Sequence, residues 1–181
     1  MGAKMNNPLT ATDLDRFLHR LGEQQEGTLY LIGGSAVQLL GNPRTTLDID
    51  YVGSDDPLPT DKLAAAIESL AIEMKIEVEG VPLAEFMPLP EGAETRHRFI
   101  GHFGKLAVYV FDPYSIAISK IDRGFDTDLQ DVLFLINNGL ITFEQLEQYA
   151  QMTLKQAVIF LIDPKEFRQH LEKVRRLLLH Q

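Results

Sequence analysis

The chain has 181 residues, 45% of them hydrophobic, no cysteine and a formal net charge of −9. That length and apolar content give one domain with a core and exclude a disordered chain, and the missing cysteines exclude disulfides and thiolate metal sites. An acidic balance argues against broad, sequence-independent nucleic-acid binding, but it is compatible with a nucleotide carried on a divalent cation or with a basic partner. No apolar run approaches the roughly 20 residues of a membrane span. Residues 1–10 lack the apolar core of a signal peptide. No membrane association and a cytoplasmic location are therefore expected.

In chain order, Thr10 to Leu21 reads as a helix with Thr12 as N-cap and Leu14, Phe17, Leu18 and Leu21 as one apolar stripe. A polar connection, Gly22 to Gly27, leads to Leu29–Ile32, an apolar run that reads as a buried strand. Gly33-Gly34 breaks it, Ser35 opens a short helical segment from Ala36 to Leu40, and Asn42-Pro43 turns the chain. Thr46 to Val52 alternates, so Leu47, Ile49 and Tyr51 face one way and Asp48, Asp50 and Val52 the other.

After a polar loop, Gly53 to Pro59, Thr60 caps a helix from Asp61 to Met74, with Leu63, Ile67, Leu70 and Ala71 inward. Lys75–Val81 predicts a strand, and the proline-bearing Leu83–Leu89 an extended loop or edge strand. Arg96, His97 and Arg98 form a basic patch that fits a solvated loop better than a contact with RNA or a triphosphate. Phe99–Phe103 and Lys105–Phe111 predict a hairpin around Gly104.

Helices follow: Tyr114–Asp122 behind an Asp112-Pro113 cap, and Asp126–Asn137 with Leu129, Val132, Leu133 and Ile136 on one stripe. Next come Thr142–Gln151 with a Thr142/Gln145 capping box, Thr153–Leu161, and Pro164–Leu179 with an Asp163/Glu166 box. The last ends in an amphipathic run, Lys173 to Leu179, suited to packing on the domain or on a dimer partner. Strands first and helices last predict an α+β fold. A core over residues 1–112 and a C-terminal helical region over 113–181, packed on it, are expected to make one domain overall.

The chemistry concentrates in residues 33–50. Asp48 and Asp50 lie two residues apart on one strand face, where two like charges repel unless a cation stands between them. Hard carboxylate oxygens suit Mg2+. A Gly-Gly bend lets a ligand approach the backbone, and the helix start behind it offers N–H groups to an anion. Gly33, Gly34 and Ser35 are therefore candidates for binding phosphate, against the alternative of an ordinary strand–turn–helix junction. A phosphate seat beside a divalent-metal seat is what phosphoryl or nucleotidyl transfer requires. Neither a P-loop nor a dinucleotide fingerprint is present. His19, His102, His170 and His180 show no metal-ligand spacing.

Gly33-Gly34-Ser35 followed by Asp48-Ile49-Asp50 resembles the signature of the polymerase-beta-like nucleotidyltransferase superfamily. Arg44-Thr45-Thr46 before the acids, and Ser119 to Arg123 followed by Asp128-Leu129-Gln130-Asp131, resemble its abortive-infection toxin-type (minimal nucleotidyltransferase) branch. The resemblance spans roughly residues 28–140. It implies a nucleotidyltransferase-like mixed sheet flanked by helices with a helical C-terminal layer. It also implies transfer of a nucleoside monophosphate from a nucleoside triphosphate to a hydroxyl, with Mg2+ or Mn2+ on Asp48 and Asp50. Its third carboxylate maps on Glu85, with Glu77 and Glu79 as rivals on the preceding strand. Lys120 and Asp128, with Arg123 and Asp131, either line a nucleotide-binding wall or form an ion-pair network joining two helices to the sheet. Arg44 contacts either a phosphate or a surface acid. The implied acceptor is a tRNA end or a protein side chain, and the implied partner an antitoxin or a second copy. A catalytically inactive nucleotide-binding or protein-interaction module on the same fold is the alternative, and a structural subunit joined through the C-terminal helices a third reading.

Overall fold

The hydroxyl of Thr10 accepts a hydrogen bond from the Asp13 backbone N–H, and the Asp13 carboxylate accepts one in return from the Thr10 N–H. This reciprocal cap starts helix α1 (Ala11–Gln24) two residues before the cap expected at Thr12. The computed structural model describes residues 7–53 and 61–180. They fall into two compact units, Met1–Pro82 with Arg98–Val110, and Leu83–His97 with Phe111–Gln181. The stretch 83–97 thus groups with the C-terminal helices, whereas the sequence reading placed it with the N-terminal core.

The first unit is a five-stranded mixed sheet with helices. Its strands are β1 (Gly27–Ile32), β2 (Asp48–Val52), β3 (Glu77–Val81), β4 (Arg98–Phe103) and β5 (Leu106–Val110), in the order β3-β2-β1-β5-β4. β1 runs antiparallel to β2 and parallel to β5; β2 and β3 are parallel; β4 and β5 form the expected hairpin. Alternation dictates the faces. Leu29, Leu31, Ile49, Tyr51, Leu106, Val108 and Val110 are buried on one side. With them are buried Leu14, Phe17, Leu18 and Leu21 of α1 and Leu63, Ile67, Leu70 and Ala71 of α3 (Asp61–Met74). Each fully buried large apolar side chain contributes on the order of 1.5–3 kcal/mol. Thr60, the cap expected for α3, lies outside the described residues, as does most of the loop before it.

Some expectations shift. Helix α2 (Gly33–Leu39) already includes the two glycines expected to precede it. β2 begins at Asp48, so Leu47 escapes the alternation and is 59% exposed. Thr46 instead pairs with Leu9 in an isolated bridge.

In the second unit, Leu83–Leu89 is not extended: Leu83–Phe86 forms a short helix, α4. The basic Arg96 is not solvated either. It donates two hydrogen bonds to the buried Asp112 carboxylate, at 2.8 and 3.0 Å, and its guanidinium lies over the Tyr114 and Tyr149 rings. The hydrogen bonds it donates to Asp112 hold that guanidinium more firmly protonated than usual. Asp112 also caps α5 (Pro113–Arg123), accepting from the backbone N–H groups of Tyr114 and Ser115. α6 (Asp126–Asn137) matches expectation, except that Leu135 rather than Ile136 is fully buried. α7 (Phe143–Lys155) absorbs the start of the helix expected at Thr153, and residues 156–161 form turns, with Leu161 at φ +57°. In α7 the Thr142 side chain accepts from the Gln145 N–H. α8 (Pro164–Leu179) starts on Asp163, which accepts from two backbone N–H groups. No helix among the described residues is long and apolar enough to cross a membrane.

Candidate functional site

The register of β1 on β2 sets Asp50 directly opposite Ile32, the residue before Gly33. Opposed residues share a face, so Asp50 and Asp48 stand on the side of the sheet opposite the α1–α3 core, at the end where β1 turns into α2. Both are partly exposed. Gly33 has φ +66°, a left-handed conformation that glycine adopts without penalty, and a Cβ there would lie 3.0 Å from the Asp50 Cγ and closer still to its Oδ2. The acid and the glycine bend are in direct contact because no side chain intervenes.

Gly34 repeats the device. A Cβ on it would meet the Thr46 Cβ at 3.0 Å and the Arg44 Nη2 at 3.3 Å. Arg44 therefore stands at the bend, with its Nη1 donating to the Thr45 carbonyl at 2.8 Å. The buried Gln38 side chain holds this approach in place, donating to the carbonyls of Leu9 and Arg44. Thr46 is buried, and its hydroxyl stands 3.5 Å from the Asp48 Oδ1. Gln38 was not singled out from sequence, and Thr46 only as the end of the Arg44-Thr45-Thr46 run. Gln38 carried no signal, because its partners are backbone carbonyls, one of them of the distant Leu9.

Of the three phosphate candidates, Ser35 turns its side chain inward. It is fully buried, and its Oγ donates to the Ile32 carbonyl at 3.2 Å. Only its backbone N–H is left as a candidate donor to phosphate. The Ile32 N-cap position brings no side-chain hydrogen bond to the start of α2.

The parallel register pairs Asp48 with Glu77 and Asp50 with Glu79, so the two glutamates flank the aspartates on the same face of an edge strand. Both are exposed. Among the described residues, no group of three or more His, Asp or Glu is placed to hold a metal ion. Glu85 is exposed on α4, in the other unit.

Lys120 and Asp128 also lie in that second unit, and their side chains are 2% and 3% exposed. The Lys120 ammonium is 2.8 Å from Asp131 and 3.4 Å from Asp128, and Arg123 donates to Asp128 at 2.5 Å. In this geometry Lys120, Arg123, Asp128 and Asp131 form an ion-pair network joining α5 and α6. One oxygen, Asp128 Oδ2, is buried without a hydrogen-bond partner.

The chain belongs to a family described as nucleotidyltransferase of unknown function (DUF6036), whose model matches residues 10–174. No curated protein matches it. Among solved structures it is similar to an antigenic nucleotidyltransferase-like protein from Paracoccidioides brasiliensis, at 16% identity and a TM-score of 0.48, over 87% of this chain and 96% of that one.

Proposed function

We propose that this nucleotidyltransferase-family chain uses Asp48 and Asp50 to hold Mg2+ or Mn2+ and transfers a nucleoside monophosphate from a nucleoside triphosphate to a hydroxyl. The observation that carries this reading is the packing of Asp50 on the bare Gly33 backbone, with Asp48 beside it on the same strand face. The donor set fits the cation: Mg2+ is commonly held by one or two carboxylates, with phosphate oxygens and water completing its shell. When bound, the cation supplies charge neutralisation at the phosphates and a lowered pKa for the attacking hydroxyl.

The chain's own residues do the rest. The backbone N–H groups of Gly34 and Ser35 seat the phosphates, and the Arg44 guanidinium at the bend adds positive charge to them. The acceptor oxygen forms a bond to the α-phosphorus as the bond to pyrophosphate breaks, and the hydroxyl proton leaves to solvent or a nearby base. The resemblance to the toxin-type branch supports a tRNA end or protein hydroxyl as acceptor, within a toxin–antitoxin pair.

The test is divalent-dependent incorporation of label from each of the four nucleoside triphosphates into RNA and protein fractions. Incorporation by the parent, and its loss in a folded Asp48→Asn variant, is the expected result. The second reading is a nucleotide-binding module without turnover. It draws on the finding that, among the described residues, Asp48 and Asp50 are joined by no third His, Asp or Glu placed to hold a metal ion. Nucleotide binding with no incorporation under any condition decides for it.

A further inference from the structure

The same sheet face carries a second feature beside the acids. Because Tyr30 precedes Ile32 by two residues and pairs with Tyr109, and Tyr109 with Phe99, these rings share the face of Asp48 and Asp50. Tyr30 and Tyr109 are stacked with centroids 5.2 Å apart, Phe99 lies 5.1 Å from Tyr109, and His102 5.3 Å from Phe99. The row crosses β1, β5 and β4 without a break. Its outer members are open, Phe99 at 52% exposed and His102 also exposed, while Tyr30 and Tyr109 are half-buried. The opposite face of the same strands is a closed aliphatic core.

We propose that this ring row is the base-stacking platform for the nucleotide whose phosphates lie at the glycine bend and the acid pair. This rests on the reading of that pair given above. Strand spacing and rise put the Tyr30 Cα roughly 8 Å and the Tyr109 Cα about 12 Å from the Asp50 Cα. The ribose and base of a nucleotide anchored by its phosphates reach across that interval. Flat rings on an open sheet face accept any base by stacking and discriminate weakly between bases. The occupant is a free nucleotide rather than a nucleic-acid strand, because a chain of net charge −9, with four acids on this very face, repels a polyanionic backbone.

The test compares nucleoside triphosphates with inorganic tripolyphosphate, which has the phosphates and no base, both with Mn2+ and measured by calorimetry. With no tryptophan in the chain, tyrosine fluorescence reports stacking independently. At least one triphosphate binds the parent about tenfold or more tighter than tripolyphosphate, and quenches the tyrosine signal. Tyr109→Leu and Phe99→Ser shrink that ratio while the tripolyphosphate affinity stays put. The Phe99 variant alters an exposed ring and keeps the comparison in folded protein.

If tripolyphosphate binds as tightly as every nucleotide, or the ratio survives both substitutions, the platform is refuted and the phosphate and metal reading stands. If neither probe binds the parent, both readings fall together. Tight binding of a short single-stranded RNA without a triphosphate, abolished by Tyr109→Leu, overturns the free nucleotide as occupant.

Discussion

Two charge clusters in this chain answer the same physical problem in opposite ways. In the second unit, Lys120, Asp128 and Asp131 are taken almost wholly out of water and matched against one another. In the first, Asp48 and Asp50 are left partly exposed, with further acids beside them on β3. Both come from sequence patterns that look alike, acids at short spacing with a basic residue nearby. The difference teaches that burial separates a cluster that must be satisfied within the protein from one that solvent ions can reach. A buried cluster must satisfy itself, whereas an open cluster of like charges has electrostatic capacity left for a cation.

The largest effect is expected where that self-satisfaction is broken. Lys120→Met leaves two buried carboxylates without their shared ammonium, and unfolding in urea should show a loss of about 3–5 kcal/mol. Asp48→Asn should move the other way, gaining up to about 1 kcal/mol at low salt as a like charge opposite Glu77 disappears. Equal losses in the two variants would erase the distinction between the clusters.

A smaller, more local break lies at the bend. Gly33→Ala puts a Cβ into the Asp50 carboxylate and forces a side-chain-bearing residue to φ +66°. The conformational strain alone is about 1–2 kcal/mol. Because the clash displaces the acid itself, Mn2+-induced thermal stabilisation should fall by more than the stability does. A variant that keeps the parent's metal response after losing only stability would show that contact between glycine and acid has no part in binding.

Much of this was legible from the chain. The alternation in residues 48–52 put both acids on one face, and Gly33-Gly34 marked a place where backbone must come close, because both signals are local. What stayed hidden depended on partners far away in sequence. Arg96 reads as a surface charge until the fold brings it to Asp112 and the rings of Tyr114 and Tyr149. The Ser35 hydroxyl turns inward because the Ile32 carbonyl lies within its reach once α2 starts at Gly33. The row of Tyr30, Tyr109 and Phe99 needs three strands in register, two of them joined only through a parallel pairing that no turn residue announces. Lys120 shows the limit of motif reading. Its spacing to Asp128 and Asp131 fits a ligand wall and a helix clamp equally well, and the near-complete burial of all three cannot be read from that spacing.

The smallest expected effect concerns pH and falls in the second unit. His97 is half-buried, and burial lowers its imidazole pKa below the ordinary 6.5, outweighing the pull of Asp112 and Glu94 in the other direction. Its Nδ1 accepts a hydrogen bond from the Asp112 backbone N–H at 3.1 Å, so the folded chain holds the neutral ring. The unfolded chain takes up the proton first. The full contribution is therefore present above about pH 6.5, declines as pH falls toward the lower folded-state value, and levels off beneath it. His97→Asn keeps a side-chain oxygen acceptor and cannot titrate. Urea midpoints at pH 7.5 and pH 5 should differ less for the variant than for the parent. If the parent and the variant lose the same stability between those pH values, the pH sensitivity belongs to other groups, and the link from His97 to the buried Asp112 is not what holds this corner at neutral pH.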